Sequence, residues 1–258
     1  AVARDVRVDA RTAAFVVYTS GSTGTPMGVV VQHGRLALFA STMQRTFEYR
    51  EGEVMLSLVS FVFDIWVFEA LVPLAAGASV RLLPPDRVRD GAALVEELRT
   101  AGMMAIVPAL IREVVAAARH VEPGALAGVR WVIGGGDAVT PELWSQMREV
   151  FPAARLFVGY GPTEATVIAT RYAIPEGAAG GGPAVGRPLP NVRAYVLDRW
   201  GSPAGLGMPG ELCLGGPGVA RGYLGRAALT AAQFVPDPFG GQAGARLYRT
   251  GDRARWRV

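Results

Sequence analysis

Met103-Met-Ala-Ile-Val107, Val129-Arg-Trp-Val-Ile133 and Arg155-Leu-Phe-Val158 are three short apolar runs. Between them lie Leu110 to His120 and Pro141 to Val150, both with apolar residues at helical spacing. Short apolar runs of this kind read as buried strands, and alternation with amphipathic helices is the pattern of a largely parallel sheet flanked by helices, an α/β domain. Thr140 ahead of Pro141 supports the helix start there, threonine as N-cap and proline in the first turn. Upstream, the same rhythm predicts strands at Ala13 to Tyr18, Met55 to Ser60 and Ser79 to Leu83. Helices are expected at Gly34 to Phe47, Ile65 to Ala75 and Ala92 to Thr100. Downstream the composition changes near Ile174, and Pro175 to Pro190 is rich in glycine, alanine and proline. A boundary is therefore expected there, dividing an α/β part (1–175) from a smaller β-rich, barrel-like subdomain (176–258). The latter would contain strands at Val192 to Leu197, Glu211 to Leu214 and Arg246 to Arg249.

Composition excludes several classes of function. Half of the 258 residues are apolar and 19% are charged, which is globular composition. No apolar run is long enough for a membrane span, and Ala1 to Arg11 lacks the apolar stretch of a signal peptide, so a cytoplasmic protein without a membrane partner is expected. The lone Cys213 lies between Leu212 and Leu214 and reads as a buried strand residue. His33 and His120 share no metal-ligand spacing. The net charge of +4 is spread over scattered arginines with no basic–aromatic run, which argues against a nucleic-acid partner. All 26 basic residues are arginine; the chain contains no lysine.

Three segments carry chemistry. Tyr18 to Gly28 follows a strand and offers hydroxyls at Thr19, Ser20, Ser22, Thr23 and Thr25, with glycines at 21, 24 and 28. Glycines allow close backbone approach, and hydroxyls and amides bond phosphate oxygens. Its spacing and lack of lysine differ from a P-loop. Taken alone, an exposed Ser/Thr/Gly turn explains it equally well. Gly159-Tyr160-Gly161-Pro162-Thr163-Glu164 stands at the carboxyl end of a predicted strand, where open α/β sheets bind ligands. Tyrosine can stack on a purine, threonine can bond phosphate and glutamate can hold Mg²⁺ through oxygen. A Gly-Pro turn with capping Thr and Glu is the competing reading. In Tyr248-Arg249-Thr250-Gly251-Asp252 an aspartate after a glycine turn can accept both ribose hydroxyls, or be an ordinary turn residue. Gly205-Leu-Gly-Met-Pro-Gly210 fits a dinucleotide fingerprint in letters only: it precedes a strand and opens no helix, so it reads as a turn.

Together, in this order, these segments resemble adenylation domains of nonribosomal peptide synthetases, in the adenylate-forming enzyme superfamily. Gly210-Glu-Leu-Cys-Leu-Gly-Gly216 and Val219-Ala-Arg-Gly-Tyr223 resemble a further motif of that family. The resemblance implies ATP-dependent conversion of an amino acid to aminoacyl-AMP with release of pyrophosphate, then transfer to a phosphopantetheine thiol on a carrier domain. It implies ATP and Mg²⁺ as cofactors, with carrier and condensation domains as partners. It assigns phosphate contacts to Thr19, Ser20, Gly21, Ser22, Thr23 and Gly24. Tyr160, Gly136, Asp137 and Ala138 would hold adenine, Asp252 the ribose, Thr163 a phosphate and Glu164 the metal, these last two being the catalytic pair. Phe63-Asp64-Ile65-Trp66-Val67-Phe68-Glu69 resembles the family's substrate-pocket motif, with Asp64 pairing with the α-ammonium; a helix N-cap is its other reading. Carried over residue by residue, the pocket is Asp64, Ile65, Phe68, Ile106, Ile133, Gly135, Gly159, Val167 and Ile168. Apart from the aspartate it is apolar or lacks a side chain, which implies an aliphatic, valine-like substrate with loose discrimination. Without the resemblance these residues read as core.

Two departures qualify the match. Pro26-Met27-Gly28 stands where the family has Pro-Lys-Gly, removing an ammonium near the triphosphate. The family's smaller C-terminal lobe with its catalytic lysine, and the portion ahead of the phosphate loop, are absent from Ala1 to Val258. The chain is thus expected to be a fragment, adenylating slowly or not at all alone. Two alternatives remain: an acyl- or aryl-acid ligase of the same superfamily, which Asp64 disfavours, and a degenerate noncatalytic scaffold, which Met27 favours.

Overall fold

A computed structural model describes residues 7–20, 25–175 and 184–257. In chain order β1 (Ala13–Thr19) and β2 (Met27–Gln32) lead into α1 (His33–Phe47) and β3 (Val54–Ser57). A π-helical turn (Val67–Leu71) runs into α2 (Val72–Ala75), followed by β4 (Ser79–Leu82), α3 (Pro85–Val88) and α4 (Gly91–Leu98). Next come β5 (Met103–Ile106), α5 (Pro108–Ala118), β6 (Trp131–Gly135), α6 (Pro141–Val150) and β7 (Arg155–Tyr160). A 3₁₀ turn (Thr163–Ala165) precedes β8 (Thr170–Ala173) and β9 (Arg187–Pro188). The chain closes with β10 (Arg193–Leu197), β11 (Gly210–Gly215), β12 (Gly222–Tyr223), α7 (Ala227–Gln233), β13 (Phe234–Pro236) and β14 (Arg246–Ala254).

These elements form two compact units. One comprises Thr42–Tyr160 and Thr170–Leu189. Its seven-stranded sheet has the order β4-β3-β5-β6-β7-β8-β9. The strands from β4 to β7 are parallel, while β8 and β9 are antiparallel additions. This is the parallel sheet that the apolar runs predict. All four residues of β5 are buried, which is why the run reads as continuous apolar sequence. Helices α4, α5 and α6 turn Leu94, Leu98, Ile111, Val114, Leu143 and Met147 into a common core with Met104, Val132 and Leu156 of the sheet. Asp90 caps α4 by accepting from Ala92 and Ala93 N–H. Thr140 caps α6 through Leu143 N–H, with Pro141 at the first turn as expected.

The other unit comprises Ala1–Ser41, Gly161–Ala169 and Pro190–Val258. It carries a three-stranded sheet, β1-β2-β12, and a four-stranded sheet, β10-β11-β14-β13, both antiparallel throughout. β10 and β13 are the outer strands of the second sheet. The units depart from the division at 175/176. Residues up to Ser41 group with the C-terminal part because β2 pairs with β12, and the Pro/Gly-rich stretch marks only a local change in composition. Val29, Val31, Val219, Ala220, Tyr223, Phe234 and Tyr248 form the core beside the first sheet. Cys213 is buried in β11 with Leu197 and Leu247, as its neighbours suggest. Burial lifts its thiol to about 11. No helix among the described residues is long and apolar enough to cross a membrane.

Candidate functional site

In the parallel-sheet unit, the candidate residues lie at the carboxyl ends of β5, β6 and β7 and at the start of the helical segment after β3. Gly135 and Gly159 are register partners at the ends of β6 and β7. A Cβ on Gly135 would stand 2.8 Å from the Gly159 carbonyl oxygen, so the strand ends approach as closely as they do only because that residue is glycine. Gly136 follows in the left-handed region (φ +80°), a turn that glycine adopts without strain, and the Asp137 carboxylate accepts from Ala138 N–H at 2.7 Å. Tyr160 closes β7 and is half-buried.

Asp64 is half-buried where the helical segment begins, and its carbonyl accepts from Val67 N–H. Ile65 and Gly135 also retain partial exposure, as does Gly159. Ile106 and Ile133 are buried. Phe68 is wholly buried, its ring edge-on to Phe47 and tilted against Trp131, so its side chain serves the core. Val67–Leu71 is helical, as expected, but in π form, a local widening that periodicity does not reveal.

In the other unit, Thr19 ends β1 and pairs with Met27 of β2, with Tyr18 opposite Gly28. β1 and β2 thus pair antiparallel on either side of the glycine- and hydroxyl-rich segment, with Ser20 just beyond β1; Gly21, Ser22, Thr23 and Gly24 lie outside the described residues. Met27 is half-buried and packs against the apolar core around Val29 and Tyr223. It also lines a cleft with Thr25, Gly225, Arg226 and Leu229.

Gly161–Ala169 folds back sharply on itself. A Cβ on Gly161 would lie 2.6 Å from Ala169 N and Val167 O and 2.7 Å from Ile168 Cα. Thr166 and Val167 both have positive φ (61° and 69°), a costly conformation for β-branched residues. Strain of this kind persists only where surrounding bonds impose it. Here the Thr166 hydroxyl donates to Gly218 O at 2.7 Å, and Ala220 N–H donates to Glu164 O at 2.8 Å. Val167 and Ile168 are buried within this segment, as are Thr163 and Glu164.

The Tyr223 phenol donates to Glu164 Oε1 at 2.8 Å. Tyr248 bonds both Tyr223 and Glu164 through its side chain. Burial first, with the Glu164 carboxylate adding, pushes the Tyr248 phenol far above its ordinary range; burial likewise raises Tyr223. Both phenols therefore remain protonated hydrogen-bond donors at any physiological pH. Tyr223 is opposite Val29 in the β12–β2 pair, and Leu224 N–H donates to Gly28 O at 2.8 Å. One hydrogen-bonded network thus joins the strand leaving the glycine- and hydroxyl-rich segment, Glu164, the Val219–Tyr223 segment and Tyr248. Four residues beyond Tyr248, Asp252 is exposed on β14, its N–H donating to the Thr250 hydroxyl. Arg249 holds Glu211 through two nitrogens, and Gly251 N–H donates to the same carboxylate, which fixes this turn.

Sequence reasoning placed Glu164 but gave no role to Tyr223 or Tyr248. The signal was present as a tyrosine in each flanking motif; the pairing of residues 59 apart is a property of the fold. It also passed over Glu69, which is wholly buried. Among the described residues no three His, Cys, Asp or Glu side chains gather as a metal cage. A hard cation that keeps water and phosphate ligands needs only one or two carboxylates, and Glu164, with Oε1 committed to Tyr223, fits such a site.

The AMP-binding enzyme family model matches residues 2–224. The chain is 38% identical over 257 residues to the dimodular nonribosomal peptide synthase of Bacillus subtilis (strain 168), covering 99% of this chain and 10% of that protein. It is 41% identical to phosphinothricin tripeptide synthetase PhsB of Streptomyces viridochromogenes, covering 95% of this chain and 20% of that one. Among solved structures, the AMPPNP-bound form of the nonribosomal peptide synthetase FmoA3 (S1046A) superposes with a TM-score of 0.86 at 32% identity, covering 94% of this chain and 26% of that chain. The four-domain synthetase AB3403 bound to AMP and glycine gives 0.82 at 31% identity, covering 95% and 18%. The chain spans about a tenth of the length of the first curated relatives it matches. On the match over residues 2–224, the chain belongs to the family of AMP-binding enzymes.

Proposed function

We propose that this chain is part of an amino-acid-activating adenylation domain of a nonribosomal peptide synthetase. The whole protein would make an aminoacyl-adenylate from ATP and an amino acid and pass the acyl group to a phosphopantetheinylated carrier domain. The observation that carries this reading is the network centred on Glu164. A buried carboxylate at a strand-end turn is oriented by two phenols from two other motifs of the same resemblance, and it is the carboxylate that would hold Mg²⁺. Bound there, Mg²⁺ would neutralise charge on the phosphates. Thr163, beside Glu164, supplies a hydroxyl for a phosphate oxygen, and Asp252 an exposed carboxylate for ribose hydroxyls. The main chain of Thr19 to Gly24 and its hydroxyls would cradle the triphosphate.

In the parallel-sheet unit, Tyr160 and Gly136-Asp137-Ala138 sit at the strand ends suited to adenine, with a half-buried tyrosine ring for stacking. Asp64 supplies the one formal charge among the pocket candidates, and in a partly buried position it anchors an α-ammonium strongly. Ile65, Ile106, Ile133, Gly135 and Gly159 offer no hydrogen bond from a side chain, which favours an aliphatic substrate such as valine. The work of this site is positioning and charge neutralisation at phosphorus, which needs donors and a metal and no nucleophilic side chain. Carrier and condensation domains are the partners this reading brings.

Amino-acid-dependent ATP–pyrophosphate exchange by the full-length protein tests the reading. Exchange driven by valine or isoleucine supports it. Exchange driven better by carboxylic acids lacking an amine would transfer the site to an acyl- or aryl-acid ligase. Absence of exchange with every amino acid, restored by Met27→Lys, would make the natural protein a noncatalytic module.

A further inference from the structure

Glu69 is a wholly buried acid to which the nucleotide and substrate motifs give no task. It lies on the π-helical turn, and its Oε2 accepts from Leu58 N–H and Val59 N–H, both at 3.0 Å, and from the Ser57 hydroxyl at 3.3 Å. All three donors come from the end of β3 and the turn after it. Oε1 has no hydrogen-bond partner among the described residues. Burial overrides the three bonds and lifts the carboxyl to about 7. A buried carboxylate without a cation is an inefficient way to gain stability, since an apolar residue of similar size usually does better. What it does accomplish is geometric.

Between the clamped ends run residues 60 to 68. Phe61, Val62 and Phe63 are exposed, so the middle of this segment has little apolar burial to hold it. Short-range bonds within it run from Phe63 N–H to Ser60 O, from Trp66 N–H to Phe63 O and from Val67 N–H to Asp64 O. Asp64 stands midway between the Val59 and Glu69 anchors.

We propose that Glu69 is a positioning residue for substrate recognition, clamping the Ser57–Val59 turn to the π-helical turn and thereby setting the place of Asp64 for the amino acid's α-ammonium. The inference rests on the reading of Asp64 given above. Misplacing an anchor of this kind by an ångström weakens binding of the one substrate it touches and leaves the other substrate unaffected.

The test is ATP–pyrophosphate exchange by the full-length protein, with KM measured separately for amino acid and ATP, on Glu69→Ala, Glu69→Asp, Glu69→Gln and Asp64→Ala. Glu69→Ala is expected to raise the amino acid KM about tenfold or more, the equivalent of about 1.4 kcal/mol or more, with the ATP KM within twofold. Glu69→Asp keeps the charge but falls one methylene short; it should show the same split, and it serves where the alanine variant does not fold. Glu69→Gln, whose amide oxygen can occupy the position of Oε2, should return the amino acid KM to within about threefold of wild type. Equal rises in both KM values, or a glutamine variant no better than alanine, would overturn the clamp. If Asp64→Ala raises the amino acid KM and no Glu69 variant does, the clamp alone fails. If Asp64→Ala leaves that KM unchanged, the substrate-pocket reading fails and the clamp with it.

Discussion

Replacing Glu69 by glutamine should change how folding stability depends on pH, by an amount that the structure fixes. The carboxyl is wholly buried, and burial, outweighing the bonds from Val59, Leu58 and Ser57, raises it from its ordinary 4.5 to about 7. Between those two values the folded chain holds a proton that the unfolded chain has released. Stability contributed by this group is therefore full below pH 4.5 and is lost as pH rises toward 7; above that the group is ionised in both states and the loss is complete. Each decade of proton affinity is worth about 1.36 kcal/mol, so the full loss is about 3 kcal/mol. Glutamine carries no charge at any pH. Its NH₂ would face the position where Oε1 lacks a partner, a constant cost of about 1–3 kcal/mol. The constant offset does not affect the slope. Urea denaturation of wild type and Glu69→Gln at a series of pH values from 4 to 8 reads the difference directly: the variant should gain about 3 kcal/mol relative to wild type across that range. A difference that stays flat within about 0.5 kcal/mol would mean that Glu69 is not desolvated as described.

Other perturbations follow from the same geometry. Gly161→Ala puts a methyl 2.6 Å from the backbone of Ala169 and Val167, atoms that cannot move without unfolding the turn; a loss of several kcal/mol is expected in thermal or urea unfolding. Tyr223→Phe removes the donor to Glu164 Oε1 and should cost about 1–3 kcal/mol of stability. On the proposed role of Glu164 it should also weaken Mn²⁺ binding in the presence of a nonhydrolysable ATP analogue, as read by electron paramagnetic resonance. Met27→Lys places an aliphatic stem where Met27 already packs, its ammonium free to reach solvent; stability should change by less than about 1 kcal/mol while the KM for ATP falls severalfold.

The parallel sheet was legible because its central strands are buried on both faces, so Met103–Ile106, Trp131–Ile133 and Leu156–Val158 carry no polar residue. Most strand ends shifted by one or two residues, since glycine-ended strands such as Trp131–Gly135 continue past their last apolar side chain; β3 stops three residues before Ser60 and β14 runs five residues past Arg249. β2 escaped notice behind the glycine loop, although Met27–Gln32 is nearly all buried. The unit boundary escaped for a deeper reason. It depends on Gly222 pairing with Val30, and no local composition encodes a partner that distant. At the candidate site, sequence motifs supplied the candidate residues, while the phenols that orient Glu164 and the carboxylate that bonds the Ser57–Val59 turn became visible only once chain-distant atoms were adjacent. Glu69 in particular reads as the polar side of a helix. It lies on the π turn, and its carboxylate meets the end of β3 and the turn after it.

The most direct test of the account is amino-acid-dependent ATP–pyrophosphate exchange in the full-length protein, run on wild type and on Asp64→Ala. Exchange should be stimulated by valine and related aliphatic amino acids, with an amino acid KM that rises at least tenfold in the variant and an ATP KM that does not. Stimulation by acids without an α-amine, or an amino acid KM indifferent to Asp64, would contradict it.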